Sequence, residues 1–383
     1  MAPNDTKTCS FHFLNGWHPA SFRKQDNALL YEMTSPPAFL RAPAARTMAS
    51  GGVGSKEKTV KPLGWIWFTG IVLGIAACLP YVVEFMCSKA YATHRHGVVL
   101  VTDATSPVGK ATCLALMEDG YAVYGGVRSA SDERVVTELD SRKLLPVVLD
   151  MQNPGTVEAA VAKVKSELQG RPFTALVNTI DAGGAISPIE SQDLSSLKRL
   201  FDINTFGTLA VVQAFLPLIR EHGSRLVLMS SLCAHLTSPL FGGLCASKAA
   251  LESLADALRR ELAHYRISVS SIEPAVAFPE MPEGGKDTGA KSAAAVELDS
   301  KVYAHLFADD KARALVSPSA NGGEGRRSGT AVAEAVAQVV IHAVSSTHPK
   351  LRYPAGYIGH LPASVAAFIS WGLPGRMQDL LLA

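Results

Sequence analysis

The sequence is short of the residues that would build a disulfide framework or a zinc site. Its 383 residues hold six cysteines, Cys9, Cys78, Cys87, Cys113, Cys233 and Cys245, with no C-x-x-C pair among them. No His/Cys grouping has zinc spacing, so no metal is expected and the thiols read as reduced and mostly buried. An excess of one charge is missing too: 36 Lys+Arg against 34 Asp+Glu leave a formal net charge of +2, and no polyanionic partner is implied. Aromatics make up 7%, and the basic residues are scattered instead of clustered with them, which speaks against nucleic acid. No internal repeat is present, which removes solenoids and propellers. What remains is 48% hydrophobic and long enough for one large domain or two small ones.

One stretch lacks charge altogether. LGWIWFTGIVLGIAACLPYVV, residues 63–83, matches the roughly 20 residues that cross a hydrocarbon core. Trp65, Trp67 and Tyr81 sit near its ends, where interfacial anchors belong. A transmembrane helix is expected here, with a buried core helix as the alternative. Arg46, Lys56, Lys58 and Lys61 precede the run and Lys89 and Arg95 follow it, a bias of two charges toward a cytosolic N-terminus. Residues 1–60 lack helical or strand periodicity and read as a disordered tail. A transit peptide, or a start of translation at Met48, are open alternatives for this tail.

From residue 97 the pattern alternates between short apolar runs and helical spacing. Strands are expected at 97–102, 121–127, 144–150, 175–178, 225–231 and 267–274. Helices are expected at 109–119, 157–168, 195–221, 244–265 and 330–344. Strands this apolar are buried on both faces, and helices between them make parallel crossovers, so the class is a doubly wound α/β sheet. Such sheets bind ligands beyond the carboxyl ends of their strands. Residues 280–328 lose the pattern and read as a flexible lid or insertion; 359–383 is an apolar tail too broken to span a membrane.

The motifs fall at those carboxyl ends. DINTFGTLAVVQAFLPLI (202–219), RLVLMSS (225–231), ASKAALESLADALRREL (246–262) and SIEP (271–274) occur in that order. In order and spacing the chain from about 97 to 280 resembles the short-chain dehydrogenase/reductase family, and 330–358 is similar to the family's end. The anchored layout is most similar to its membrane-bound hydroxysteroid and retinol dehydrogenases. The resemblance implies a Rossmann-like domain over 97–358, an NAD(P) cofactor, and hydride transfer to or from a lipophilic alcohol or ketone. It also implies pairing of subunits through the helices at 195–221 and 244–265, as a homo- or heterodimer, and residence in the endoplasmic reticulum.

The family's reacting group is Asn, Ser, Tyr and Lys. The Tyr phenol gives the proton, the Lys tunes it and grips the nicotinamide ribose, the Ser orients the carbonyl and the Asn holds a water. Asn204, Ser231 and Lys248 match, but Leu244 stands at the tyrosine position, thirteen residues after Ser231. A leucine cannot titrate, and loss of a general acid costs about 10²–10⁴ in rate. Cys245 is adjacent in sequence but points about 100° away around the helix, which leaves His235 and Ser231 as the substitute donors.

The cofactor positions are also altered. Of T-G-x-x-x-G-x-G, the chain keeps Thr102 and Gly109 in TDATSPVG; Asp103 adds charge near a pyrophosphate and Pro107 removes an N–H. N-N-A-G becomes Asn178 to Asp181, NTID; P-G becomes Pro274–Ala275; the carboxamide threonine becomes Pro279. Asp150 matches the residue that holds adenine. Arg128 resembles NADP(H)-preferring members, or is a solvated surface arginine. Two readings follow: an oxidoreductase with weak or absent hydride transfer, or a divergent NADP(H)-dependent enzyme with another proton donor.

Overall fold

The computed structural model describes residues 68, 71, 72, 74, 89–138, 144–183, 187–275, 301–303, 324–358 and 361–372. Seven parallel strands form one sheet: β1 (Val98–Val101), β2 (Ala122–Val127), β3 (Leu144–Val148), β4 (Phe173–Asn178), β5 (Arg225–Met229), β6 (Ser268–Pro274) and β7 (Arg352–Ala355). Their order is β3-β2-β1-β4-β5-β6-β7, so the winding reverses between β1 and β4. All neighbours pair in parallel register.

Alternation along each strand feeds two faces. Val98 and Leu100 of β1 and Leu226 and Leu228 of β5 join one apolar cluster. That cluster packs on α3 (Pro154–Ser166), α5 (Thr208–His222) and α6 (Gly242–Glu261) through Val164, Phe215, Ile219 and Leu251. Val99, Val101, Val227 and Met229 face the other way, onto Cys113 and Leu116 of α1 (Pro107–Glu118) and Val336 and Val340 of α7 (Glu324–Ser345). Each such Val or Leu, fully buried, is worth about 1.5–3 kcal/mol. The result is a three-layer sandwich with both faces of the sheet covered, as its continuous apolar strands require.

The six expected strands all form, ending within a few residues of their sequence bounds. β7 is the addition, at the sheet edge, where Pro354 needs no ladder partner. The helix expected at 195–221 runs from α4 (Leu194–Phe201) through a π-helical stretch, Asp202–Gly207, into α5. The helix expected at 244–265 begins earlier, at Gly242, and tightens to a 3₁₀ turn over Leu262–Tyr265. The lapse expected through 328 ends at Glu324, where α7 begins.

Of the apolar run 63–83, only Phe68, Ile71, Val72 and Gly74 are described; they are helical and exposed. The expected span, the tail 1–60, Pro279 and most of the 280–328 segment lie outside the described residues. Leu194–His222 is also long and apolar enough to cross a membrane, but half of its most apolar window is buried inside the domain.

Residues 91–96 cross the amino ends of the strands. Arg225, 2% exposed at the start of β5, donates from its guanidinium to the carbonyls of Ala92 and Ser346, both at 2.8 Å. Tyr91 lies under the same guanidinium, and the Thr174 hydroxyl of β4 donates to His94 O at 3.1 Å.

Candidate functional site

The site lies at the reversal point, between the carboxyl ends of β1, β4, β5 and β6. Thr102 follows β1 and Asn178 ends β4, and both are buried. The Thr102 hydroxyl donates to Asn178 Oδ1 at 3.0 Å, and Asn178 Nδ2 donates to Thr208 Oγ1 at 3.2 Å. Thr179 closes the same clamp, its N–H donating to Thr102 Oγ1 at 3.0 Å and its hydroxyl to Asp103 O at 3.0 Å. Two residues expected at a cofactor thus join strand to strand.

The turn into α1 satisfies itself. Asp103 Oδ1 accepts from the Thr105 N–H at 2.8 Å, from the Thr105 hydroxyl at 2.6 Å and from the Ser106 N–H at 3.4 Å. Ser106 is the N-cap of α1, its hydroxyl accepting from Gly109 N at 3.1 Å, and Pro107 opens the helix without a donor. A Cβ at Gly109 would fall 1.7 Å from Asp103 O, so this glycine is required by the turn itself. A Cβ at Gly126, near the end of β2, would meet Thr102 O at 2.1 Å, which is how closely β2 passes the same turn.

Lys248 is wholly buried on α6. Its ammonium donates to Met229 O at 3.0 Å. It also lies 2.9 Å from Asp181 Oδ1, an ion pair by proximity and not an aligned hydrogen bond. Asp181 is the last residue of NTID, where the family pattern has glycine. Asn204, in the π-helical stretch, holds both partners in place. Its Oδ1 accepts from Ala182 N at 2.8 Å, and its Nδ2 donates to Ala182 O at 3.0 Å and to Ser247 Oγ at 3.1 Å. A π turn aims side chains that an α-helix would place elsewhere, and such turns recur at functional sites.

Leu244 is 8% exposed and packs with Leu200, Leu240, Phe241 and Cys245, with Ala182 and Cys233 against them. The tyrosine position is therefore apolar in surroundings as well as in side chain. Ser231, half-buried, is the N-cap of a 3₁₀ turn over Leu232–Ala234, its hydroxyl accepting from Cys233 N at 3.2 Å. Leu240, on the loop from Ser231 to α6, has φ 69, a strained value for a branched side chain.

Other expected contacts are peripheral. Arg128 is exposed just past β2. Asp150 is half-buried, and its Oδ1 accepts from Gln152 N at 3.1 Å. Pro274 is buried at the end of β6. His235 Nε2 pairs with Glu273 Oε1 at 3.0 Å, which raises the imidazole above its usual range. Arg352 joins that pair to α6, with Nε 3.1 Å from Glu252 Oε2 and a terminal nitrogen 3.0 Å from Asp256 Oδ1. His235, Glu252 and Glu273 have the spacing of metal ligands, but Arg352 already brings a cation to the two carboxylates.

The sheet order, its reversal between β1 and β4, and the placing of Thr102, Asn178 and Ser231 at the carboxyl ends of the strands define a doubly wound, Rossmann-like α/β fold. A family model described as short chain dehydrogenase matches residues 97–287. The chain belongs to the short-chain dehydrogenase/reductase family. It is 27% identical to human retinol dehydrogenase 5 over 295 residues, covering 73% of this chain and 90% of that one. It is 28% identical to human 17-beta-hydroxysteroid dehydrogenase type 2 over 209 residues, 54% of each chain. Among solved structures it is similar to a short-chain dehydrogenase from Streptomyces avermitilis, with a TM-score of 0.56 and 24% identity over 74% of this chain and 95% of that one. A short chain dehydrogenase from Burkholderia cenocepacia, solved in complex with NADP, gives 0.53 and 22% over 76% and 100%. These two structures show the fold.

Proposed function

We propose that this chain is a membrane-anchored short-chain dehydrogenase/reductase-like protein that performs little or no hydride transfer and keeps an affinity for lipophilic alcohols or ketones. The observation that carries this is the contact of Asp181 with Lys248. The cation that would grip a ribose and tune a phenol is held by a carboxylate of its own chain, 2.9 Å away, beside a leucine at the phenol's position.

The residues present do not fit a dinucleotide. The amides at the start of α1 that would meet a pyrophosphate are capped by Asp103 and Ser106, and Asp103 would set a carboxylate against it. The ligand class rests on the likeness to proteins named retinol and 17-beta-hydroxysteroid dehydrogenases. The apolar run 63–83 supports a single span, and the endoplasmic reticulum is the membrane that the family resemblance implies. Pairing of subunits through α4–α5 and α6 is proposed from the family resemblance, and Leu194 and Phe206, 66% and 59% exposed, are apolar side chains that such pairing would cover.

The test is thermal unfolding of the full chain in detergent with NADPH and with NADH. A cofactor at about 100 times its dissociation constant stabilises by about 2.7 kcal/mol. The expected result is no shift with either. A shift with NADPH, followed by turnover of a retinoid or steroid, returns the reading of a divergent enzyme with another donor.

A further inference from the structure

We propose that the β7 edge of the domain lies against the surface of the bilayer that the chain enters, with Leu351, Tyr357 and Val365 as its apolar contacts and Lys350 at the lipid phosphates. This seating depends on 63–83 spanning the membrane once. β7 is the outermost strand of the sheet, paired only with β6. Exposed apolar side chains stand at both of its ends: Leu351, 39% exposed, just before it, and Tyr357, 62% exposed, two residues after it. Val365, 41% exposed, lies on the next helix, α8 (Ala363–Gly372). That helix is held to the end of β7, its Ala363 N–H donating to Gly356 O at 2.9 Å. The four residues of β7 rise only about 13 Å, so one lipid surface can meet both ends.

Charge and a short tether set the occupant. No Asp or Glu occurs between Glu334 and Asp379, a stretch that holds Lys350, Arg352 and Arg376 and three histidines, His342, His348 and His360. Arg352 is turned inward onto Glu252 and Asp256, whereas Lys350 is exposed. An exposed ammonium beside an exposed leucine suits anionic headgroups over an acyl boundary, and a tyrosine ring belongs at headgroup depth. The Tyr91 N–H donates to Thr347 O at 2.9 Å, four residues before Leu351. Tyr91 is eight residues after Val83, the end of the apolar run, and eight residues reach at most about 29 Å. The edge is thereby held near the bilayer at high effective concentration, where a few apolar contacts suffice to seat it. The seating also serves the cleft. α8 packs through Ala366 and Ala367 on Leu232, the neighbour of Ser231. The seated edge sets the Ser231 side of the cleft beside the lipid from which a lipophilic alcohol or ketone would come.

In the full chain, the photo-cross-linking residue p-benzoylphenylalanine replaces Leu351, Tyr357 or Val365, one at a time, and Glu158, exposed on α3, as the reference. Each protein is reconstituted into vesicles of phosphatidylcholine and phosphatidylserine with alkyne-tagged acyl chains, and irradiated. The expected yield of lipid adduct is several-fold higher at each of the three edge positions than at the reference. Carbonate extraction reads the span separately. A chain that carbonate leaves in the membrane, with edge yields no higher than the reference, overturns the proposal and leaves the span. Edge adducts on a chain that carbonate releases keep the seating and remove the span, and a released chain without them overturns both. Cross-links to a second chain in place of lipid also overturn the proposal, since they assign the edge to subunit pairing. The three positions are exposed and read independently, so a variant that fails to fold leaves two that decide.

Discussion

Asp181 stands where a glycine would leave Lys248 open to a ligand. Lys248 is fully buried, so a lone ammonium there would be costly, and Asp181 supplies its counter-charge. Asp181→Ala is expected to destabilise by about 3 kcal/mol in urea unfolding, at the low end for a buried pair because Asp181 keeps some solvent. Adding Lys248→Met should recover most of that loss, since removing both charges leaves neither stranded. Leu244→Tyr alone is expected to give no NADPH-dependent turnover, because the lysine that should tune the new phenol is still engaged. Combined with Asp181→Gly and Asp103→Gly, it should gain on the order of 10²-fold or more over the single variant, read as NADPH oxidation with a retinoid or steroid carbonyl. His235 titrates in a useful window. Its folded value is raised by Glu273, so its contribution is complete below pH 6.5 and drains away as pH rises through the folded value. The melting difference between wild type and His235→Gln should therefore shrink as pH increases above 6.5, followed by calorimetry.

At the scale of elements, the turn from β1 to α1 shows how a phosphate loop closes on itself. A side chain at position 103 supplies the oxygen that an anion would otherwise bring to the amides of Thr105 and Ser106. Asp103→Gly should cost about 2 kcal/mol, the scale of a charge-assisted hydrogen bond, and should create a thermal response to inorganic pyrophosphate that the wild type lacks. The strands were legible because short continuous apolar runs, buried on both faces, leave a plain trace. β7 was not, since four residues containing Pro354 carry almost no pattern of their own and pair only once β6 exists. The start of α7 was hidden because Gly325, Arg326, Arg327 and Ser328 look like a loop. At the site, the missing tyrosine and the altered NTID could be read directly. The Asp181–Lys248 contact could not, because it depends on a π turn that sets Asn204 against both neighbours, and no local spacing encodes such a turn.

For the whole molecule, one buried guanidinium ties sequence ends to centre. Arg225 satisfies carbonyls from the entry segment and from the residue after α7, while one of its own nitrogens has no hydrogen-bond partner. Arg225→Met should leave those carbonyls unpaired at about 1–3 kcal/mol each and make 89–96 the first point cut by trypsin or chymotrypsin under native conditions.

That clasp has a mechanical meaning. The chain enters the domain at residues 91–92 on the amino edge of the sheet, while the cleft lies at the carboxyl edge, separated by strands that rise about 3.3 Å per residue. A load applied through residue 89 would reach Arg225 before any residue of the cleft. β5 then takes the strain in line with its axis, with β4 and β6 in shear on either side. In a pulling experiment from the amino end, wild type should yield in one high-force event, and Arg225→Met should first release the entry segment at low force with the cleft still folded.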